Sequence, residues 1–249
     1  MALIRVENVS KRFRIPSERR STIREHVFGL FRPRSFETID VLDDVSFELA
    51  ENETLGIMGA NGAGKSTLLK VICGIYPPDG GSVAAESPVT PILELGLGWS
   101  WELDAIDNIL LAGTVMGMTL EQARDSAAEI LAFAGLERFA NLQLKHYSTG
   151  MATRLAYAIA FRAVSGVLVL DEVFAVGDAQ FRQRCFERHQ ELSAAGHSSI
   201  LVSHQPEQIE LTCQRALLLD QGRIVLEGTG KEVADAYVSR LTEGQTTDE

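Results

Sequence analysis

A parallel α/β fold is predicted by three features of the sequence. Two short runs, VLVL at 167–170 and SILV at 199–202, are apolar at almost every position, as strands covered on both faces are. A glycine-rich loop, Gly59 to Thr67, stands between the apolar run TLGIM and the helical LLKVIC. Stretches of helical period lie between these runs and supply the covering layers. The 249 residues, 45% of them hydrophobic, suffice for one large α/β domain or two small ones.

Taken in order, residues 3–9 (LIRVENV) alternate and read as a strand. Residues 10–40 then carry seven arginines in a chain that is acidic overall. Within this piece Ser21 can cap a short helix and Pro33 can stop it. Ile23, Val27, Leu30 and Phe31 share one face of that helix, flanked by Arg20 and Arg24. Residues 45–49 and 54–58 read as strands, and a helix follows over about 64–74. Pro77, Pro78, Gly80 and Gly81 mark a loop, and residues 89–95 a short strand or turn. From about 103 to 165 the chain is mainly helical. Thr119 and Gln122 make a capping box there, Gly135 closes that helix, and Ala123, Ala127, Ile130, Leu131 and Ala134 form its buried stripe. Residues 167–171 and 199–203 are the central parallel strands. Residues 215–219 and 223–227 form a hairpin across Asp220-Gln221-Gly222, residues 230–241 a last helix, and TEGQTTDE a frayed tail.

Composition excludes several classes. Asp and Glu number 34 against 23 Lys and Arg, a net charge of −11, which speaks against a surface that holds a nucleic-acid backbone. Cys73, Cys185 and Cys213 are odd in number and far apart, so reduced thiols are expected and structural zinc is not. The N-terminus has no apolar signal core. The longest apolar stretch, Ala156 to Leu170, is broken by Arg162, so the chain is expected not to cross a membrane by itself; docking on one stays open.

The motif GANGAGKST matches GxxxxGK[ST] in its required setting, after a strand and opening a helix. Gly59, Gly62 and Gly64 let backbone N–H groups wrap an anion, with Asn61 and Ala63 in the same loop, and the helix N-terminus adds partial positive charge. Lys65 supplies an ammonium for phosphates, and the Ser66 hydroxyl, followed by Thr67, can ligate Mg²⁺. VLVLDE at 167–172 brings Asp171 and Glu172 to the end of a buried strand, where ligands of such sheets gather. There Asp171 can serve Mg²⁺ and Glu172 can polarise an attacking water. His204 ends the next run, SILVSH. YSTGM at 147–151 opens another helix: Ser148 is a natural cap, and Gly150 lets a phosphate approach. Two helix-terminus anion sites with one set of carboxylates invite a head-to-tail dimer, each nucleotide clasped by the glycine loop of one subunit and YSTGM of the other.

With these five pieces in order, the chain resembles the ABC ATPases over essentially its full length: GANGAGKST as Walker A, YSTGM at the signature position, VLVLDE as Walker B with the catalytic Glu, AVGD with Asp178 as the D-loop, and His204 as the switch histidine. YSTGM keeps the Ser and second Gly of the usual LSGGQ, and Glu94 stands at the Q-loop position where Gln is usual. These variants and the insertion at residues 14–38 resemble the ATP-binding subunits of polysaccharide exporters for O-antigen, capsule or teichoic acid. Some of those carry a C-terminal carbohydrate-binding domain, for which this sequence is expected to leave no room.

The resemblance implies a RecA-like P-loop NTPase core with an antiparallel β-subdomain over residues 1–96 and 161–241, and an α-helical subdomain inserted at 97–160. It implies ATP cradled by Gly59 to Thr67, Glu94 sensing Mg²⁺ or water, and Ser148 and Gly150 on the partner subunit's ATP. Asp171 assists Mg²⁺, Glu172 acts as general base, His204 holds the γ-phosphate, and Asp178 belongs with the nucleotide. Phe13 is the candidate to stack on adenine, an ordinary packed Phe being the alternative. The implied partners are a second copy of the chain and a polytopic membrane permease, on the cytoplasmic face of the inner membrane and without nucleic acid. The N-terminal insertion forms either a solvated loop with a short packed helix or, over residues 20–33, an amphipathic helix at the cytoplasmic membrane surface, and LGLGW, Leu95 to Trp99, either a glycine-rich turn or a loop facing the permease. The rival readings are an exporter of another cargo and a soluble regulatory ABC ATPase.

Overall fold

A computed structural model describes residues 2–16, 36–93, 98–172 and 177–245. The expected helix at 20–33, Glu94 and residues 95–97 of LGLGW lie outside the described residues.

The elements run β1 (Ala2–Pro16), β2 (Phe36–Ala50), β3 (Thr54–Met58), α1 (Lys65–Ile72), β4 (Gly80–Ala85), β5 (Val89–Ile92), α2 (Ala105–Val115), α3 (Leu120–Ala134), α4 (Thr149–Arg162), β6 (Val167–Asp171), α5 (Ala179–Ala194), β7 (Ser199–Val202), α6 (Pro206–Thr212), β8 (Arg215–Asp220), β9 (Arg223–Thr229) and α7 (Gly230–Gln245). A six-stranded sheet has the order β5-β6-β7-β3-β8-β9, parallel except for β9. A three-stranded antiparallel sheet, β2-β1-β4, lies apart from it. The buried runs predicted as central strands are β6 and β7, and every residue of β3 and β7 is buried.

Apolar residues fill both faces of the large sheet. Met58, Leu170 and Leu201 pack with Phe161 of α4 and Phe181 of α5 on one side. Leu55, Ile57 and Val202 pack on the other with Leu68 and Leu69 of α1 and with Ile4, Val6 and Leu49 of the small sheet. A third cluster joins α2, α3 and α4 through Ile109, Ile130, Leu131, Leu155 and Ile159. The Thr119–Gln122 capping box is present, Gly135 ends α3 at φ 67°, and all five stripe residues of α3 are buried.

Some boundaries differ from the sequence reading. β1 continues to Pro16 and β2 begins at Phe36, pairing Arg14 with Thr38 and Ile15 with Glu37, so strand occupies both ends of the segment expected as an insertion at 14–38. These positions are exposed, so burial leaves no alternation of polarity to betray them. β4 occupies part of the expected loop at Pro77–Gly81: Gly80 pairs with Ser10 of β1, while Gly81, at φ 76°, sits at the register shift before Ser82 pairs with Glu7. The last helix runs to Gln245 rather than 241, through the first half of the expected frayed tail.

A buried polar chain crosses the sheet end opposite the glycine loop. His189 of α5, 2% exposed, meets Ser199 Oγ through Nε2 at 2.9 Å, and Ser199 Oγ donates to Thr54 Oγ1 at 3.1 Å. Burial pushes the imidazole down to about 4. The unfolded chain therefore takes up this proton first as pH falls below about 6.5, and stability is lost between there and pH 4. Urea unfolding is expected to lose about 2–3 kcal/mol more between pH 7 and pH 4 in the wild type than in His189→Gln. Equal acid losses in the two proteins would remove His189 as the cause.

Candidate functional site

The site grows from strand ends. In the order β6-β7-β3, the register sets Asp171 beside Val202 and Val202 beside Ile57, so three strands finish level. The glycine loop leaves β3, the acidic pair leaves β6, and His204 follows β7. The loop closes through Ala63 N–H on Ala60 O (3.1 Å) and Gly222 N–H on Ala63 O (3.0 Å). Gly64 has φ 104°, and a Cβ there would stand 2.7 Å from Val41 O, so glycine is required on both counts. α1 begins at Lys65 without a side-chain cap, leaving first-turn N–H groups for an incoming anion.

A cleft of about 540 Å³ opens here, lined by Asn61, Gly62, Gly64, Lys65, Ser66, Thr67, Asp171, Glu172 and Val41. Lys65 is 7% exposed, and its Nζ donates to Gly59 O (2.7 Å) and Ala60 O (3.0 Å). Burial lowers its ammonium's proton affinity, against the pull of Glu172 and Asp171. Ser66 Oγ donates to Asp171 Oδ2 at 2.9 Å. Burial pushes the Asp171 carboxyl up, and the Ser66 hydrogen bond opposes it. Glu172 has φ 52°, a left-handed conformation uncommon for a non-glycine, held by its N–H on Val202 O at 3.0 Å. Its Oε1 meets His204 Nδ1 at 3.0 Å. Donor N–H groups and an ammonium thus face hydroxyl and carboxylate oxygens across one cleft. That set fits a polyphosphate, and the oxygens suit Mg²⁺.

The remaining expected site residues lie elsewhere. Ser148 caps α4, accepting from Met151 N–H at 3.2 Å, and Tyr147 is buried with its hydroxyl donating to Phe139 O at 2.8 Å. The Tyr of YSTGM therefore anchors the helix start to the turn at 137–139. Gly150 is exposed, and a Cβ there would have only Ser148 Oγ, at 4.0 Å, within reach. Asp178 caps α5 through Phe181 N–H (2.8 Å), which holds its carboxylate low, and lies 3.9 Å from Arg154 of α4. Ser148, Gly150, Asp178 and Phe13 do not line the cleft; Phe13 meets the Tyr76 ring edge-on. Sequence reasoning missed Val41, which lines the cleft from a stretch of β2 whose outer half is exposed.

Loop, ammonium and carboxylates at level strand ends define a P-loop nucleotide-binding fold. The family model for ABC transporters matches residues 42–175. Among curated relatives, the ABC transporter protein AbcA of Aeromonas salmonicida is 38% identical over 81% of this chain and 65% of its own length. The teichoic acids export ATP-binding protein TagH of Bacillus anthracis is 32% identical over 94% of this chain and 42% of its own length. The O-antigen export system ATP-binding protein RfbB of Klebsiella pneumoniae is 30% identical over 94% of this chain and 97% of its own length. The chain thus spans 65% and 42% of AbcA and TagH but nearly all of RfbB. A solved dimeric ATP-binding cassette, in a post-hydrolysis state with ADP and Pi, shares the fold at a TM-score of 0.73 and 22% identity, covering 91% of this chain and 98% of its own. The chain belongs to the ABC transporter family.

Proposed function

We propose that the chain is the ATP-hydrolysing subunit of an exporter that moves a polysaccharide of the O-antigen, capsule or teichoic-acid kind across the cytoplasmic membrane. The observation that carries the ATPase reading is one cleft lined by Lys65, Ser66, Asp171 and Glu172, in which Ser66 bonds Asp171 and Glu172 is bonded to His204. The polysaccharide reading is supported by the names of TagH and RfbB.

Gly59 to Thr67 bind the phosphates of ATP, with Asn61 and Ala63 in the loop. Ser66 and Asp171 would hold Mg²⁺, which would supply neutralisation of phosphate charge. Glu94 is proposed to sense the cation or the water. Glu172 takes the proton of the attacking water, and His204, hydrogen-bonded to it, orients it and holds the γ-phosphate. Phe13 stacks on adenine: it shares a ribbon face with Ile39, two residues from the cleft-lining Val41. Ser148 and Gly150 serve the nucleotide of a second copy, a reading favoured by the open approach to Gly150 and by neither residue lining this chain's own cleft, and Asp178 belongs with the nucleotide as the D-loop residue.

In the proposed division, residues 1–96 and 161–241 are the RecA-like core with its β-subdomain and 97–160 the helical subdomain, in line with the separate apolar cluster of α2–α4. Among the described residues no helix is long and apolar enough to cross a membrane. The work of transport is therefore assigned to a polytopic permease, with this chain peripheral on the cytoplasmic face. Residues 20–33 are proposed to touch the membrane. LGLGW is proposed to face the permease, and Trp99 lines an apolar groove of about 400 Å³ with Pro91, Val115 and Met116.

Affinity capture of the tagged chain from gently solubilised native membranes, read by mass spectrometry, tests the proposal. A stoichiometric polytopic protein encoded beside glycan-assembly enzymes is expected. Recovery only from the soluble fraction, even for Glu172→Gln with ATP, would favour a regulatory ATPase instead.

A further inference from the structure

We infer that Tyr76 and Lys11 are positioning residues for the nucleobase, acting by fixing the ring of Phe13. The inference rests on the proposed reading of Phe13 as the stacking platform.

Tyr76 reaches Phe13 because α1 ends in a closed cap. Gly74, at φ 70°, turns the chain, its N–H donating to Val71 O (3.0 Å) while Ile75 N–H donates to Lys70 O (2.8 Å). Tyr76 N–H follows onto the same Lys70 carbonyl at 3.1 Å. The Tyr76 ring then lies with the Lys70 ammonium 5.6 Å from its centroid, and meets the Phe13 ring edge-on, 5.5 Å between centroids at 74°. Lys11 holds Phe13 from its own strand: Nζ lies 5.6 Å from the Phe13 centroid, donates to Pro77 O at 2.7 Å and pairs with Asp79 at 3.2 Å.

Two further bonds lace the turn to β1, Arg12 N–H on Asp79 Oδ2 at 2.7 Å and Asp79 N–H on Ser10 O at 2.8 Å. Lys11 is 8% exposed, unusual for a lysine outside a ligand site, and its ammonium is spent on this turn. The register sets the assembly on the strand face that reaches the glycine loop. Lys11 pairs with Leu42 and Phe13 with Ile39, so these four share a face, and a Cβ on Gly64 would come within 3.0 Å of Leu42 Cδ2. The helix that starts at the phosphates thus ends in the turn that orients the platform for the base. Phosphate and base subsites are set at a fixed distance by one eight-residue element.

A positioning role separates base from phosphate affinity. Equilibrium binding of ADP and of pyrophosphate to the full chain is compared for wild type, Phe13→Ala, Tyr76→Ala and Tyr76→Phe. The expected result is ADP binding weakened about three- to tenfold in Tyr76→Ala, with pyrophosphate binding unchanged. Tyr76→Phe, which keeps the ring, should bind ADP like wild type. Lys11→Gln should move ADP affinity in the same direction as Tyr76→Ala. If Phe13→Ala weakens ADP while Tyr76→Ala does not, the positioning role is overturned and the Phe13 reading survives. If Phe13→Ala leaves ADP unchanged, both fall. Equal weakening of ADP and pyrophosphate in Tyr76→Ala would mean that the end of α1 had shifted, and would also overturn the inference.

Discussion

Replacing Glu172 by glutamine is expected to lower ATP turnover by about 10²–10⁴-fold while leaving nucleotide binding close to wild type. The substitution keeps the side chain's size, and an amide can still bond His204 Nδ1, which lies 3.0 Å from the carboxylate. Only the ability to take a proton is removed. The backbone at φ 52° is held by Val202 O and is unaffected. A left-handed residue just past a strand end is the kind of strained placement found where a side chain must be aimed. Glycine would relax that strain at the cost of the carboxylate. The variant should also retain ATP-dependent dimerisation, because the trapped nucleotide is not consumed. Single-turnover phosphate release and light scattering with and without ATP check both halves. Turnover within about threefold of wild type would remove Glu172 as the base.

Much of this site was legible because its chemistry is local. GANGAGKST needs only a strand before it and a helix after it, and β3 and α1 supply them. Asp171, Glu172 and His204 were legible because buried parallel strands are near-continuous apolar runs, so their ends can be read to the residue. What the sequence hid is what depends on pairing between distant segments. The outer ribbon, Arg12–Pro16 against Phe36–Asp40, exposes residues on both faces; only the register of β1 with β2 defines it. β4 was obscured by Gly80 and Gly81, whose turn chemistry was read without the partner strand. Val41 lines the cleft for the same reason, as the extra residue where Leu42 pairs with Lys11 and Asp40 with Arg12. Asp178 illustrates a different limit. The motif's resemblance points it to a nucleotide, while within one chain its carboxylate caps α5 and does not line the cleft.

The second large effect is expected from Lys65→Ala, which should weaken ADP and ATP binding by about 10²-fold, the scale of one lost charge-assisted hydrogen bond. The wild-type ammonium lies at the floor of the cleft, 93% shielded, and is held by two loop carbonyls rather than by a carboxylate. A cation so placed is incompletely neutralised, and burial lowers its proton affinity. An arriving polyphosphate supplies the missing countercharge, so the interaction gains from the same burial that makes the free lysine costly. Arginine is not expected to rescue the variant: its planar fork spreads the charge that an ammonium concentrates on Gly59 O and Ala60 O. The sign of the pH dependence follows. Binding should weaken as pH rises through the lowered pKa of Lys65, at more acidic pH than an ordinary lysine would require, and this limb should be missing from Lys65→Ala. Calorimetric titration of ADP from pH 7 to 10 measures both effects. Unchanged affinity in Lys65→Ala would reject the phosphate-loop assignment on which the proposed roles of Ser66 and Asp171 toward Mg²⁺ and of Glu172 as base depend.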